Sequence, residues 1–214
     1  MTRLDLLASV MDSKLHRTFI HGDEIKELAE RFSDAGAYFA KIEMGKDYFE
    51  HWHTLLNKKK DRRGEVALFV NNDEHKVLLH TKPFYPQGID RIPTGGIHAD
   101  EAVLTAMERE LLEETGFRVL EYHFIALVVY EFKFDNNSLS FPSYLFEIKA
   151  DGHEPKPIDE SEQISAFSWC DKENLRKVID RLNSIEGTRW KAWGRFRSIP
   201  HEIYLEKEGL NLTK

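Results

Sequence analysis

The sequence predicts an α/β fold, with a mixed β-sheet domain over residues 63–214 and a helical subdomain before it over residues 1–62. Three observations lead there. After Gly64, strand-length apolar runs recur, among them VALFV at 66–70, VLLH at 77–80 and the long VLEYHFIALVVYEFKF. One acidic helix interrupts them behind a glycine pair, in GGIHADEAVLTAMERELLEETGF from Gly95 to Phe117. The first 62 residues show helical periodicity, many charges and few β-branched runs.

In chain order, Asp23 caps a helix over Glu24–Ser33 that places Ile25, Leu28, Ala29 and Phe32 on one face. Gly36 separates it from a second helix, expected over Ala37–Lys59, whose stripe runs through Phe39, Ile42, Tyr48, Phe49, Trp52, Leu55 and Leu56. Such a stripe is read as core or as a homodimer contact, ahead of a stacking surface for a nucleobase. His51 and His53 are i, i+2 and leave on different helix faces, so they read as surface residues rather than a ligand pair. Lys58-Lys59-Lys60 and Arg62-Arg63 read as a solvated helix end.

The runs at 66–70 and 77–80 form a hairpin across Asn71-Asn72-Asp73-Glu74. TKPFYPQGIDRIPTGG follows as an ordered loop that carries Lys82, Tyr85 and Arg91 toward the acidic helix. Lys82 and Arg91 suit phosphate oxygens, and Tyr85 suits stacking on a base. Thr94-Gly95-Gly96 is expected to turn with positive φ, and the helix to run from Ala99 to Thr115 with Asp100 and Glu101 at its N-terminal dipole and Gly116 as its stop. Beyond it, two long strands join across Asp135-Asn136-Asn137, Asp151–Gln163 is a loop, ISAFSWC is a strand, and Lys172–Asn183 is a helix. The tail, with Trp190, Trp193, Phe196, Ile199, Ile203 and Leu205, packs on the domain as partly helical chain. Packing is also the expected role of Trp193, Arg195, Arg197 and His201, with reach into the site as the alternative.

At about 100° per residue the acidic helix puts Val103, Leu104, Met107 and Leu111 on one stripe and Glu110, Glu113 and Glu114 together on the next. Three converging carboxylates repel one another unless protons or cations intervene. Oxygen-only clusters of this kind suit hard divalent cations, Mg²⁺ or Mn²⁺, with positions left open for substrate phosphates. Ala102 and Ala106 on that flank would let a ligand approach closely, and Arg109 can pin one carboxylate.

A glutamate-rich helix is ordinarily a solvated surface; the order of the residues decides otherwise here. Gly95, five residues, Glu101, seven residues, Arg109-Glu110-Leu111, one residue, Glu113-Glu114, one residue and Gly116-Phe117 is similar to the signature box of the Nudix hydrolases. Phe117 stands where the family more often has an aliphatic residue. The resemblance covers these 23 residues directly and the region from about Arg63 to Cys170 more loosely. It implies a Nudix-type α/β/α sandwich and hydrolysis of a nucleoside diphosphate linked to another moiety: a nucleotide sugar, a dinucleotide or a nucleoside triphosphate. It further implies Glu110, Glu113 and Glu114 as metal ligands, the Gly95 carbonyl as a further oxygen, and Arg109 and Glu101 as supports for the carboxylates. The general base is either a glutamate of the box, Glu113 first, or an acid of the loop ESEQIS, where Glu162 is favoured over Glu160. No motif outside the box fixes the substrate.

A net charge of −7 argues against a sequence-independent nucleic-acid binder. With no run near 18 apolar residues, no membrane span is expected. A single cysteine, Cys170, read as a buried small hydrophobe, and an N-terminus without an apolar signal core point to the cytoplasm. Two other classes are weighed. A catalytically silent sensor or partner-binding module has no reason to keep three repelling glutamates. An isopentenyl-diphosphate isomerase would need an early catalytic cysteine, and Cys170 comes too late.

Overall fold

Successive side chains of each strand point to opposite faces of the sheet, and this alternation decides which core each one joins. The computed structural model describes residues 20–59, 62–152 and 154–210. Strand β1 (Gly36–Glu43) is followed in the sheet by β2 (Arg62–Asn71), β3 (Val77–Thr81), β4 (Thr94–His98), β5 (Val119–Phe134), β6 (Asn137–Ala150) and β7 (Ala166–Cys170). The spatial order is β1-β5-β6-β2-β3-β7, and β4 pairs with the first half of β2. The β1/β5 and β2/β6 pairs are parallel and the others antiparallel, so the sheet is mixed as expected.

Helices cover both faces: α1 (Gly22–Arg31), α2 (Lys46–His53), α3 (Val103–Thr115), α4 (Leu175–Asn183) and α5 (Thr188–Lys207). Along central β2, Val66, Leu68 and Val70 enter the core with α1 and α3, while Ala67 and Phe69 enter the core with α2, α4 and α5. The second core is aromatic. Phe196 of α5 has no exposed surface and meets Tyr130, Phe132, Trp52 and Phe141 at ring distances of 4.7, 5.3, 5.7 and 6.1 Å. Burying such a ring contributes roughly 1.5–3 kcal/mol.

Several sequence expectations are corrected. The helix expected over Ala37–Lys59 is instead β1, a break at Gly45, α2 and a π-helical turn over Thr54–Lys59. Phe39 and Ile42, three apart, share a helix face but lie on opposite faces of a strand. The parallel ladder from Gly36↔Ala126 to Glu43↔Lys133 makes the segment extended, which buries Ile42 and leaves Phe39 exposed, outside the core expected for it. The remainder of the stripe, Tyr48, Phe49, Trp52 and Leu56, is core. Thr94-Gly95-Gly96 lies in β4, and neither glycine has positive φ. α3 begins at Val103, so Asp100 and Glu101 precede it. Ala106 packs in the core and is not a ligand-facing gap. Gly116 does end α3 in the left-handed conformation, φ 75°.

Candidate active site

The acidic flank of α3 is held against β4 by contacts that exclude larger residues. A Cβ on Gly95 would collide with the carboxyl group of Glu110, and one on Gly96 would lie 2.6 Å from Arg62 Nε. The glycines therefore serve close approach rather than turning. α3 has no capping side chain of its own. Its Val103 N–H donates to Glu24 Oε1 of α1 at 3.1 Å. Arg63, buried, donates to both Glu24 oxygens at 2.9 and 2.8 Å and to the Glu101 carbonyl. The solvated reading of Arg63 is thus overturned, because its charge has a carboxylate partner inside.

Arg109 organises the carboxylates. Its Nε and Nη2 donate to Glu101 at 2.7 and 2.9 Å, and Nη2 also donates to the Gly96 carbonyl at 2.7 Å. Its Nη1 reaches Glu110 Oε1 at 2.8 Å and Glu113 Oε2 at 2.9 Å. These bonds raise the Arg109 pKa, and the bond from Arg109 lowers that of Glu101. Burial raises the pKa of Glu110 despite Arg109.

Glu114 differs from its neighbours. It has no exposed surface, neither carboxylate oxygen has a hydrogen-bond partner among the described residues, and burial raises its pKa to about 8. Lys82 Nζ is 3.6 Å from Glu114 Oε1, close enough for attraction but too far for a hydrogen bond. The same ammonium group donates to Glu162 Oε2 at 2.7 Å.

Glu110 and Glu162 line a cavity of about 360 Å³ together with Gly95, Gly96, Lys82 and Arg91. Arg62 and Arg197 complete its basic wall. Glu160, two residues before Glu162 on the same 3₁₀ turn, is exposed and does not line the cavity. Tyr85 does not line it either. Its hydroxyl accepts from Arg91 Nε at 2.8 Å and its ring packs on Trp193 at 5.0 Å, so it holds Arg91, which also donates to Thr94 Oγ1 and the Ile92 carbonyl.

Arg62, expected at a solvated helix end, begins β2 and lines the cavity; Arg197, expected to pack, takes the alternative of reaching the site; Glu65 has no assignment from sequence. Arg197 Nη1 donates to both oxygens of the fully buried Glu65, at 3.0 and 2.9 Å, and Ser143 Oγ donates to Glu65 at 3.1 Å. The available signal was a glutamate inside the apolar run of β2, which demands a buried cation. His201, one turn after Arg197, accepts the Ile92 N–H on Nε2 and faces the Arg197 carbonyl with Nδ1. Burial lowers its pKa to about 4. Cys170 is half-buried against the core, its pKa raised by burial.

The donor chemistry fits a hard divalent cation. Glu114 presents two buried oxygens without partners, Glu110 adjoins it, and Gly95 leaves room at the carboxylate. Arg109 takes up one oxygen each of Glu110 and Glu113, and among the described residues no three His, Cys, Asp or Glu side chains stand close enough to hold an ion together.

A family model described as NUDIX domain matches residues 61–190. Among solved structures, the chain is similar to a Nudix hydrolase from Nitrosomonas europaea, with 20% identity, 66% of this chain and 87% of that one covered, and a TM-score of 0.47. It is also similar to a MutT Nudix hydrolase from Burkholderia pseudomallei, with 19% identity, 66% and 95% covered, and a TM-score of 0.44. A MutT protein from Methanosarcina mazei Go1 gives 15% identity, 81% and 97% covered, and a TM-score of 0.45. Comparison with curated proteins gives no match.

Proposed function

Because this chain belongs to the Nudix hydrolase family, we propose that it is a metal-dependent pyrophosphohydrolase acting on a nucleoside diphosphate linked to another moiety. The observation that carries this reading is the junction of opposite charges in one cavity. Lys82, Arg91, Arg62 and Arg197 line it beside Glu110, with the unpartnered carboxylate of Glu114 adjoining Lys82. Two linked phosphates match the basic wall, and Mg²⁺ or Mn²⁺ matches the acidic one.

Glu110, Glu113 and Glu114, with the Gly95 carbonyl, are the proposed metal-holding set; when bound, the metal neutralises phosphate charge and acidifies water. Arg109 orients Glu110 and Glu113 and ties both to β4 through Gly96. Arg62, Lys82, Arg91 and Arg197 bind and orient the phosphate oxygens, and Thr94 and Tyr85 hold Arg91 in place. Glu162 is the proposed general base. It lines the cavity, and its partner Lys82 also contacts phosphate in this scheme, so arrival of substrate frees the carboxylate to take a proton from water. Glu113 is the next choice for that role.

No helix among the described residues is long and apolar enough to cross a membrane. A cytoplasmic location and a homodimer belong to the same proposal. The test is phosphate release, coupled to a phosphatase, from nucleotide sugars, dinucleotides and nucleoside triphosphates with Mg²⁺ or Mn²⁺. Turnover of one class is expected. Absence of turnover on every class with either ion overturns the reading and favours a silent nucleotide-binding module.

A further inference from the structure

A second cavity, of about 440 Å³, opens beside the first and shares Leu55, Arg62 and Arg197 with it. Its walls come from elsewhere in the chain: Tyr48 and Trp52 of α2, Trp190 and Trp193 of α5, and Phe84, 56% exposed, at the rim. Tyr48, Trp52, Trp193 and Arg197 lie outside the matched residues 61–190, so the chain's own N- and C-terminal segments build this space. Trp190 and Trp193 meet edge to face at 5.2 Å, and the Arg189 guanidinium lies 5.6 Å from the Tyr48 ring centre and 5.9 Å from that of Trp190.

Among the described residues the lining contains aromatic rings, His51 and three arginines but no aspartate, glutamate, asparagine or glutamine. Arg62 stands at the junction of the two cavities. Its Nε makes a long bond, 3.4 Å, to the Gly64 carbonyl, and among the described residues no carboxylate lies within ion-pair distance of it. A buried-side cation left in this way beside Arg197 is a place for an anion.

We propose that this second cavity seats the nucleobase of the substrate, stacked among Trp190, Trp193 and Arg189, while the phosphates leave it over Arg62 and Arg197 toward Glu110. The direction of the phosphates rests on the pyrophosphohydrolase reading; the stacking does not. The volume is that of an ordinary small-molecule site, and aromatic faces with arginine are the platform on which bases stack irrespective of sequence. A sugar would present hydroxyl donors, and among the described residues of these walls only His51 and the Tyr48 hydroxyl could accept them, with no acid or amide. Arginine and tryptophan donate hydrogen bonds, which matches the ring nitrogens and carbonyl oxygens of a base.

The experiment uses the full chain in EDTA, so that hydrolysis plays no part, and follows tryptophan fluorescence as the four nucleoside monophosphates, ribose 5-phosphate and inorganic pyrophosphate are added. At least one nucleoside monophosphate is expected to quench strongly and the two baseless phosphates to bind at least tenfold more weakly. Trp193→Ala should weaken nucleotide binding roughly tenfold or more, the scale of one lost base stack, and Trp193→Phe should restore most of it. Arg189→Ala removes an exposed side chain and should give a smaller loss with the fold intact. On the best hydrolysed substrate both alanine variants should raise KM, with kcat nearly unchanged in Arg189→Ala. Because Trp193 also packs on Tyr85, which holds Arg91, the kcat of Trp193→Ala is read against that of Trp193→Phe. The proposal is overturned if no nucleoside monophosphate quenches, if ribose 5-phosphate binds equally well, or if Trp193→Ala and Arg189→Ala leave binding and KM untouched. Hydrolysis with unchanged KM in these variants would sink the subsite and spare the hydrolase. Binding through Trp193 without hydrolysis of any panel member would do the reverse.

Discussion

Glu65 on β2 and Glu114 on α3 both lack exposed surface, yet the molecule treats them in opposite ways. Glu65 is saturated: two bonds from Arg197 and one from Ser143 account for its oxygens. Among the described residues Glu114 has no hydrogen bond, and Arg91 and Lys82, the latter 3.6 Å away, attract it. A buried charge that is fully paired secures the placement of its partner, here an arginine that lines the cavity. One that is unpaired raises the energy of the fold and is expected where a ligand completes it.

The largest expected effect tests the saturated member. Glu65→Gln leaves Arg197 buried without a counter-charge, and loss of one partner of such a pair costs about 3–5 kcal/mol. Urea denaturation should show it. A stability within 1 kcal/mol of wild type, on the same scale, would mean that Arg197 finds another partner and that the contrast with Glu114 is false.

The same region carries a pH dependence. His201 is held neutral by burial, with its pKa depressed from 6.5 to about 4. Below pH 6.5 the unfolded chain takes up a proton that the folded protein refuses until about pH 4, so the stability contributed by neutral His201 is present above 6.5 and lost as pH falls. The loss is on the order of 3 kcal/mol. His201→Gln should reduce the fall of the denaturation midpoint between those limits without abolishing it, because buried His80, its pKa also lowered by burial, acts with the same sign. An unchanged profile would remove His201 from the account.

Next come the unsaturated carboxylates. Glu114→Gln should lower turnover roughly 10²-fold, the scale of losing one preorganised charge partner, and weaken Mn²⁺ binding. Stability should be retained, because burial raises the Glu114 pKa to about 8 and glutamine has the shape of the protonated side chain. Glu162→Gln should lower turnover on a similar scale, at the low end for general base catalysis, while keeping Mn²⁺ affinity. Glu160→Gln serves as the control, since that side chain is exposed. Normal rates in Glu162→Gln would move the base to Glu113.

What could be read in the sequence follows from range. Glu110, Glu113 and Glu114 are neighbours through helical geometry alone, and Gly116 is a local backbone requirement, so both were legible. The β5/β6 hairpin was legible because its turn is adjacent in the chain, with Asp135 at φ 51° as turn chemistry demands. β1 was not, because its partner in β5 lies some 90 residues away and Phe39 and Ile42, three apart, fit a helical period and not a strand's. Arg197 and Glu65 are 132 positions apart, and only the folded sheet brings them together. Gly95 and Gly96 were rightly singled out for the wrong reason: the requirement is the absent Cβ against Glu110 and Arg62, which no local pattern reveals.

The smallest expected effect asks whether the acidic flank stands on its own or leans on the N-terminal segment. Ala102, the residue before α3, offers no side-chain cap, and Glu24 of α1 supplies the acceptor for Val103 N–H from 79 positions away. The same carboxylate pairs with Arg63, which in turn holds the Glu101 carbonyl. Glu24→Ala should therefore cost about 1 kcal/mol for the lost helix cap, and more because buried Arg63 loses its carboxylate partner, so the small effect is the one on turnover. Turnover should fall less than tenfold, through slight displacement of α3 rather than loss of a reacting group. Glu24→Gln keeps the acceptor but not the charge on Arg63, so it should recover the cap and only part of the stability. If Glu24→Ala matched wild type in denaturation midpoint and in kcat, α1 would be a passive cover, and the Glu24–Arg63 link would have no part in positioning Glu110 and Glu114.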